Sequence, residues 1–294
     1  TIVVTGANSG LGFEAARMFA RRGADVILAC RSRERGEAAK ARIANEAPQA
    51  KLEVRPLDLA SLRSVREFAR STLEARARLD VLVNNAGLMA IPRRLTEDGF
   101  EMHLGVNHFG PFALTGLLLP RLLETPGARV VNVSSMTSFV GQMNFDDLDG
   151  VRQYRKWAAY AQSKLANLLF TFELAHRLAD KRADLRSLAC HPGYAATNLQ
   201  FVGPAMEESR ATKLLMQFAN SLLAQSAEAG ALPTVFAAVA PAAPSGEFIG
   251  SSGPLLRGEP KPLKAHRSAY DRANMERLWK ISAERTGVDY AALA

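Results

Sequence analysis

The sequence predicts a single α/β domain, doubly wound, with a mainly parallel seven-stranded sheet and helices on both faces. Three observations predict it. Short apolar runs alternate with longer amphipathic stretches, the pattern of strands joined by right-handed helical crossovers. The first run leads into spaced glycines and then into helical periodicity, the layout of a nucleotide-binding turn. No long polar or Pro/Gly linker and no internal repeat divides the 294 residues, a length one large domain accommodates.

The strands in chain order are "IVVTG", "DVILAC", "LEVRPL", "LDVLVNNAG", "ARVVNVSS", "LRSLACHPG" and "GEFIG". Most are apolar throughout, as expected for strands buried on both faces. Helical spacing covers 11–22, 34–47, 61–77 and 158–180. Three stretches break the alternation. Residues 141–156 are polar, with aspartates near 146–149; 197–225 contains Gly203-Pro204 and then an apolar face of Leu214, Leu215, Phe218 and Leu222; and 251–265 is rich in Pro and Gly. A final helix of about 20 residues is expected after it. The expected division is a cofactor half at 1–135, a catalytic and substrate half at 136–250 with a lid at 197–225, and an extension at 251–294.

Composition narrows the class. Hydrophobic residues are 48% and charged residues 22% of the chain, ordinary for a soluble enzyme. No apolar run reaches membrane-spanning length, and secretion is not expected. The chain opens on a strand-like run, so an upstream segment is expected. Cys30 and Cys190 each end an apolar run, which reads as two buried thiols in a reducing compartment. The five histidines lack ligand spacing, so no metal is expected. Net charge is +8, but the basic residues are dispersed along helices, and no nucleic-acid partner is expected.

"TGANSGLG" places Gly6, Gly10 and Gly12 where a backbone must turn sharply and approach a pyrophosphate resting on a helix N-terminus. The spacing G-x-x-x-G-x-G differs from the commoner G-x-G-x-x-G. At the end of the second strand, an acid would bind a ribose 2′-hydroxyl. Here the sequence is "LACRSRERG". A guanidinium matches phosphate in a fork, so Arg31 favours NADP(H) over NAD(H). Further on, "YAQSK" puts Tyr160 and Lys164 four apart, on one helical face.

Taken together, these motifs resemble the short-chain dehydrogenase/reductase superfamily and its Rossmann-like fold, over nearly the whole chain. The resemblance implies cofactor contacts from Gly6, Asn8, Ser9, Gly10, Leu11 and Gly12 in the turn, and from Asp58 and Leu59 in "PLDLA" at the adenine. It implies further contacts from Asn85, Ala86 and Gly87 in "NNAG", and from Pro192, Gly193 and Thr197 beside the nicotinamide. It implies a catalytic set of Asn107, Ser135, Tyr160 and Lys164. Tyr160 would be the general acid/base, Ser135 would hold the substrate oxygen, Lys164 would bind the ribose and stabilise the phenolate, and Asn107 would support a water-linked relay. Ser134, adjacent to Ser135, points to the opposite face of a strand and stays open as the alternative for that role or as a cofactor contact. "ILACRS", the long serine-to-tyrosine connection and "YAQSKLANLLFTFELAHRL" resemble the retinol-dehydrogenase-like branch and its bacterial relatives.

The expected function is NADP(H)-dependent interconversion of an apolar aldehyde or ketone with its alcohol. Met89, Phe201 and Met206 are the candidate pocket wall. Two other classes stay open: a nucleotide-binding sensor or scaffold without turnover, and a peripheral membrane protein using the apolar face of 211–223. Membrane contact is not expected, the location is expected to be cytoplasmic, and both monomer and homodimer are compatible with the sequence.

Overall fold

In the computed structural model, residues 1–193, 226–251, 253 and 258–293 are described. Successive side chains of a strand point to opposite faces, and two separate apolar layers result. Val3, Ile27, Leu82 and Val130 join one buried cluster; Ile2, Val4, Val26, Leu28 and Val83 join the other. Strands that are apolar at every position therefore need helices on both sides.

The helices come in order. Strand β1 (Ile2–Thr5) precedes α1 (Gly10–Arg21), β2 (Asp25–Cys30) precedes α2 (Arg33–Glu46), and β3 (Lys51–Pro56) precedes α3 (Leu62–Ala75). After β4 (Val81–Asn84) the chain makes a short α4 (Met102–Leu104), a π-helical turn (Gly105–Phe109) and α5 (Gly110–Leu123). Strand β5 (Ala128–Val133) is joined through a 3-10 turn (Met136–Val140) to the long α6 (Lys156–Asp180). Then follow β6 (Leu185–Cys190), α7 (Ala227–Val239), β7 (Phe248–Ser251), β8 (Pro260–Leu263) and α8 (Arg272–Thr286). Buried residues of α3, Leu62, Val65, Phe68, Ala69 and Thr72, keep the three-and-four spacing that points one stripe at the sheet. Fully burying a side chain such as Phe112, 0% exposed, contributes roughly 1.5–3 kcal/mol.

The sheet order is β3-β2-β1-β4-β5-β6-β7-β8. Pairings from β3 to β7 are parallel, and β8 pairs antiparallel with β7 through Phe248↔Leu263. The doubly wound, mainly parallel class holds, with one strand more than expected. Pro260 and Pro262 hid β8 in the sequence. Proline cannot donate to a ladder and is tolerated only at an edge, which is where β8 lies.

The order reverses between β1 and β4, and ligands bind in the crevice beyond the strand ends at such a point. Two helices escape sequence periodicity. Gly110, Pro111, Gly116 and Pro120 interrupt the pattern of α5, and Pro233 interrupts α7. Gly116 is required because a Cβ there would lie 2.5 Å from Val288 and 2.6 Å from Tyr290. The final helix is shorter than expected. Gly287, at φ +65°, ends it in the left-handed region, and its amide bonds Ala283.

Candidate active site

The glycine turn follows β1 directly. Gly6 (φ +68°) and Gly10 (φ +56°) occupy backbone conformations that side chains disfavour. A Cβ at Gly12 would lie 2.4 Å from Asn85 Nδ2 and 2.5 Å from the Gly6 carbonyl oxygen. Strand β4 supplies the other wall. The Thr5 hydroxyl accepts the Asn85 and Ala86 amides, each at 3.0 Å, and Asn85 Nδ2 donates to the Thr5 carbonyl at 2.8 Å. The two strand ends at the switch point are thus laced together.

Between them opens a cleft of about 690 Å³, lined by Gly6, Asn8, Ser9, Gly10, Leu11 and Gly12 and by 85–88 across from them. The expected turn residues and the "NAG" residues therefore converge. Ser9 caps α1 without a side-chain hydrogen bond, and the first turn holds no acid. Its amide donors are left for an anion, so the residues present fit a dinucleotide pyrophosphate.

Arg31 lies exposed at the end of β2. The cleft wall itself is formed by Arg35, Ala38, Ala39 and Arg42 of α2, and the Arg42 guanidinium sits 4.2 Å over the Phe13 ring. The run "LACRSRERG" contains Arg35, but the expectation fell on Arg31 alone, and Arg42 was missed. The signal was present: seven apart with alanines between, they share one helical face. Asp58 and Leu59 follow β3. The Asp58 carboxylate accepts the Ala60 amide at 2.9 Å, while Leu59 is buried.

A second cluster forms where β5, the π turn and α6 meet. Ser134 and Ser135 separate as strand geometry requires. The Ser134 hydroxyl is buried and donates to the Lys164 carbonyl at 2.7 Å. Ser135 faces Tyr160. Burial pushes the Tyr160 phenol upward, and the Ser135 hydroxyl, with Thr137 beside it, only partly offsets this. The Lys164 Nζ donates to the Val133 carbonyl at 2.9 Å and lies 5.9 Å from the Tyr160 ring centre. Burial lowers Lys164 to about 8, and the neighbouring Cys190 thiol counteracts.

Asn107 sits in the π turn, and wider turns of this kind recur at functional sites. Its amide is fully engaged. Oδ1 accepts the Leu88 amide at 2.7 Å, and Nδ2 donates to the Leu88 carbonyl at 3.0 Å and to Ser163 Oγ at 2.9 Å. Ser163, absent from the sequence expectations, also donates to the Tyr160 carbonyl at 2.7 Å. A Cβ on Gly87 would lie 3.0 Å from Asn107 Oδ1 and 3.4 Å from Lys164 Nζ. The two clusters meet closely there. Met89 is half-buried just beyond. Gly193, at φ +68°, donates its amide to His191 Nδ1 at 3.0 Å, next to Pro192. Thr197, Phe201, Met206 and the expected lid lie outside the described residues. Among the described residues no helix is long and apolar enough to cross a membrane, and no group of three or more ligating side chains could hold a metal ion.

Comparison with known proteins places this geometry. The family model for short chain dehydrogenases matches residues 1–206. Human retinol dehydrogenase 13 is 43% identical over 291 residues, covering 98% of this chain and 85% of the relative. Human retinol dehydrogenase 14 is 40% identical over 301 residues, covering 98% and 86%. The crystal structure of an uncharacterized protein from Mycobacterium Paratuberculosis aligns with a TM-score of 0.80 at 43% identity, covering 98% and 94% of the two chains. A proposed NAD(P) dependent gluconate 5-dehydrogenase from Beutenbergia cavernae, solved with bound NADP, aligns with a TM-score of 0.63 at 29% identity, covering 84% and 92%. With its glycine turn at the switch point and its tyrosine and lysine on α6 beside the end of β5, the chain belongs to the short-chain dehydrogenase family, in the retinol-dehydrogenase-like branch, and is an NAD(P)-dependent oxidoreductase.

Proposed function

We propose that the protein interconverts an apolar aldehyde or ketone and its alcohol with NADP(H), using Tyr160 as the general acid/base. The observation that carries the reading is the buried Tyr160 phenol facing Ser135, one helical turn from Lys164, with Gly87 opening the way to the cofactor cleft. A nicotinamide cofactor held by the glycine turn and residues 85–88 would supply or accept the hydride. The protein's part is position and a proton. A phenol held protonated by burial is ready to donate to a carbonyl oxygen as that oxygen gains electrons. The Ser135 hydroxyl holds the same oxygen, and the Lys164 ammonium adds positive charge near the phenol when the proton leaves. Asn107 holds the Leu88 backbone against α6, which keeps the strap beyond Gly87 in place.

Cofactor choice follows from charge. No carboxylate stands at the end of β2, where Arg31 is exposed, and Arg35 and Arg42 wall that side of the cleft. A 2′-phosphate suits guanidinium groups. The apolar substrate class is carried over from the retinol dehydrogenases, with Met89 as a wall residue. Titration with NADPH and NADH, for wild type and for Arg31→Glu and Arg35→Glu, tests the cofactor. We expect tighter NADPH binding, about tenfold or more, that collapses in the variants. Equal affinities in all three proteins would make these arginines surface charge only.

A further inference from the structure

Behind Tyr160 lies a buried polar cluster that the reaction above does not use. Glu101 and His103 are 1% and 0% exposed. Glu101 Oε2 caps the short α4 by accepting the Leu104 amide at 2.9 Å. Its Oε1 faces His103 Nδ1 at 2.8 Å and accepts the Tyr154 hydroxyl at 3.0 Å. His103 Nε2 accepts the Ile91 amide at 3.3 Å. That bond assigns the imidazole proton to Nδ1, so a neutral His103 donates to the Glu101 carboxylate. The Tyr154 oxygen also lies 3.1 Å from the Ile91 carbonyl and 3.1 Å from His103 Nδ1. Every polar atom of the trio is therefore committed.

The cluster ties together segments far apart in sequence. The Glu101 amide donates to Asp149 at 3.0 Å; Arg285 of α8 bonds the same carboxylate at 3.1 Å, and Arg93 Nε donates to the Asp149 carbonyl at 2.9 Å. Residues 88–91 are pinned at one end by Asn107, through Leu88, and at the other by His103, which accepts the Ile91 amide and is itself held by Glu101 and Tyr154. Ala90 between them has φ +49°, a conformation that costs a non-glycine residue and persists only where its surroundings hold it. On its other side, the His103 ring packs 6.2 Å from the Tyr160 ring at 57°. Stability does not call for this arrangement, since apolar residues of similar volume commonly replace buried charge without loss.

We infer that Glu101, His103 and Tyr154 are positioning residues that hold strap 88–91 and the Tyr160 ring in register, so that the phenol and the Met89 wall meet the substrate in one fixed geometry. The inference rests on the oxidoreductase reading above. The long connection between Ser135 and Tyr160 thereby gains a role: it delivers Tyr154 to the back of the site.

Glu101→Gln and Tyr154→Phe test it, assayed with NADPH and two aldehydes, decanal and propanal. Misplacement of about 1 Å costs up to 10²-fold in rate, and we expect kcat to fall about tenfold in Glu101→Gln and less in Tyr154→Phe. NADPH affinity should stay within about twofold of wild type, because the cofactor cleft lies beyond Gly87. Hydrogen exchange supplies a readout independent of turnover: the Ile91 amide should lose protection in both variants while the Leu82 and Val130 amides keep theirs. Unchanged kcat and unchanged Ile91 exchange, with only a lower melting temperature, would overturn the inference and leave the cluster purely structural. If wild type binds NADPH but reduces neither aldehyde, the apolar-aldehyde reading fails, and Ile91 exchange alone then decides the positioning role. Should Glu101→Gln not fold, Tyr154→Phe alone decides, since it deletes one hydroxyl from a half-buried ring.

Discussion

The glycine turn and the surroundings of Tyr160 are two halves of one site built by opposite means. The turn is made of backbone: amides at the start of α1, glycines at positive φ, and a cleft whose floor tolerates no Cβ at Gly12. The Tyr160 surroundings are made of side chains. Ser135 comes from the end of β5, Asn107 from the π turn, Lys164 from α6, His103 from α4 and Tyr154 from the connection before α6. A backbone-built site needs only local sequence, because seven consecutive residues contain it. A side-chain site needs the whole fold to bring its parts together, and each buried polar part then requires a partner.

The comparison predicts that damage to the two regions separates by kinetic parameter. The largest effect is expected from Tyr160→Phe, which removes the proton donor and leaves the ring. Its kcat should fall about 10³-fold, within the usual range for a general acid, with NADPH affinity unchanged by fluorescence titration. Loss of cofactor binding instead would mean the two halves are not separable.

Gly12→Ala should do the reverse. Its Cβ must displace Asn85 Nδ2 or the Gly6 carbonyl, so NADPH binding should weaken about tenfold or more, a change of at least 1.4 kcal/mol. A variant with full affinity and reduced kcat would break the comparison from the other side.

The smallest effect concerns Lys164 and pH. Its folded pKa, about 8, lies below the unfolded value near 10.4. Below pH 8 both states carry the proton, and the cost of burying the charge is fully present. Between 8 and about 10.4 only the unfolded state binds it, so this group's contribution to stability rises with pH. The raised Cys30 and Cys190 thiols act in the opposite sense and remain in a Lys164→Met variant. Melting temperatures measured from pH 7 to 10 should therefore fall more steeply in Lys164→Met, by a few degrees over the range. Parallel curves would place the Lys164 ammonium in a better-solvated setting than its burial implies.

Legibility followed the same division. Strands β1 to β7 and the helices α1, α2, α3 and α6 were readable because apolar runs and helical stripes are local patterns. Gly6, Gly10, Gly12 and the pair Tyr160 and Lys164 were readable for the same reason. Helix α5 was not, since Gly116 and Pro120 answer to Tyr290 and neighbouring turns rather than to periodicity. Strand β8 was hidden by prolines that only an edge position permits. Arg35 and Arg42 carried a usable spacing signal, whereas Ser163 and the trio of Glu101, His103 and Tyr154 carried none. A lone buried histidine or glutamate looks like any other until its partner is known.

By itself, then, the sequence determined the layer architecture, the phosphate-binding turn and the residue types able to move a proton, because each depends on spacing within one element. Only the tertiary structure decided which arginines wall the cleft, how deeply Tyr160 is buried, and which partners hold Asn107 and Lys164. Those outcomes depend on burial and on hydrogen-bond partners brought in from distant segments, and neither is a property of a residue and its sequence neighbours.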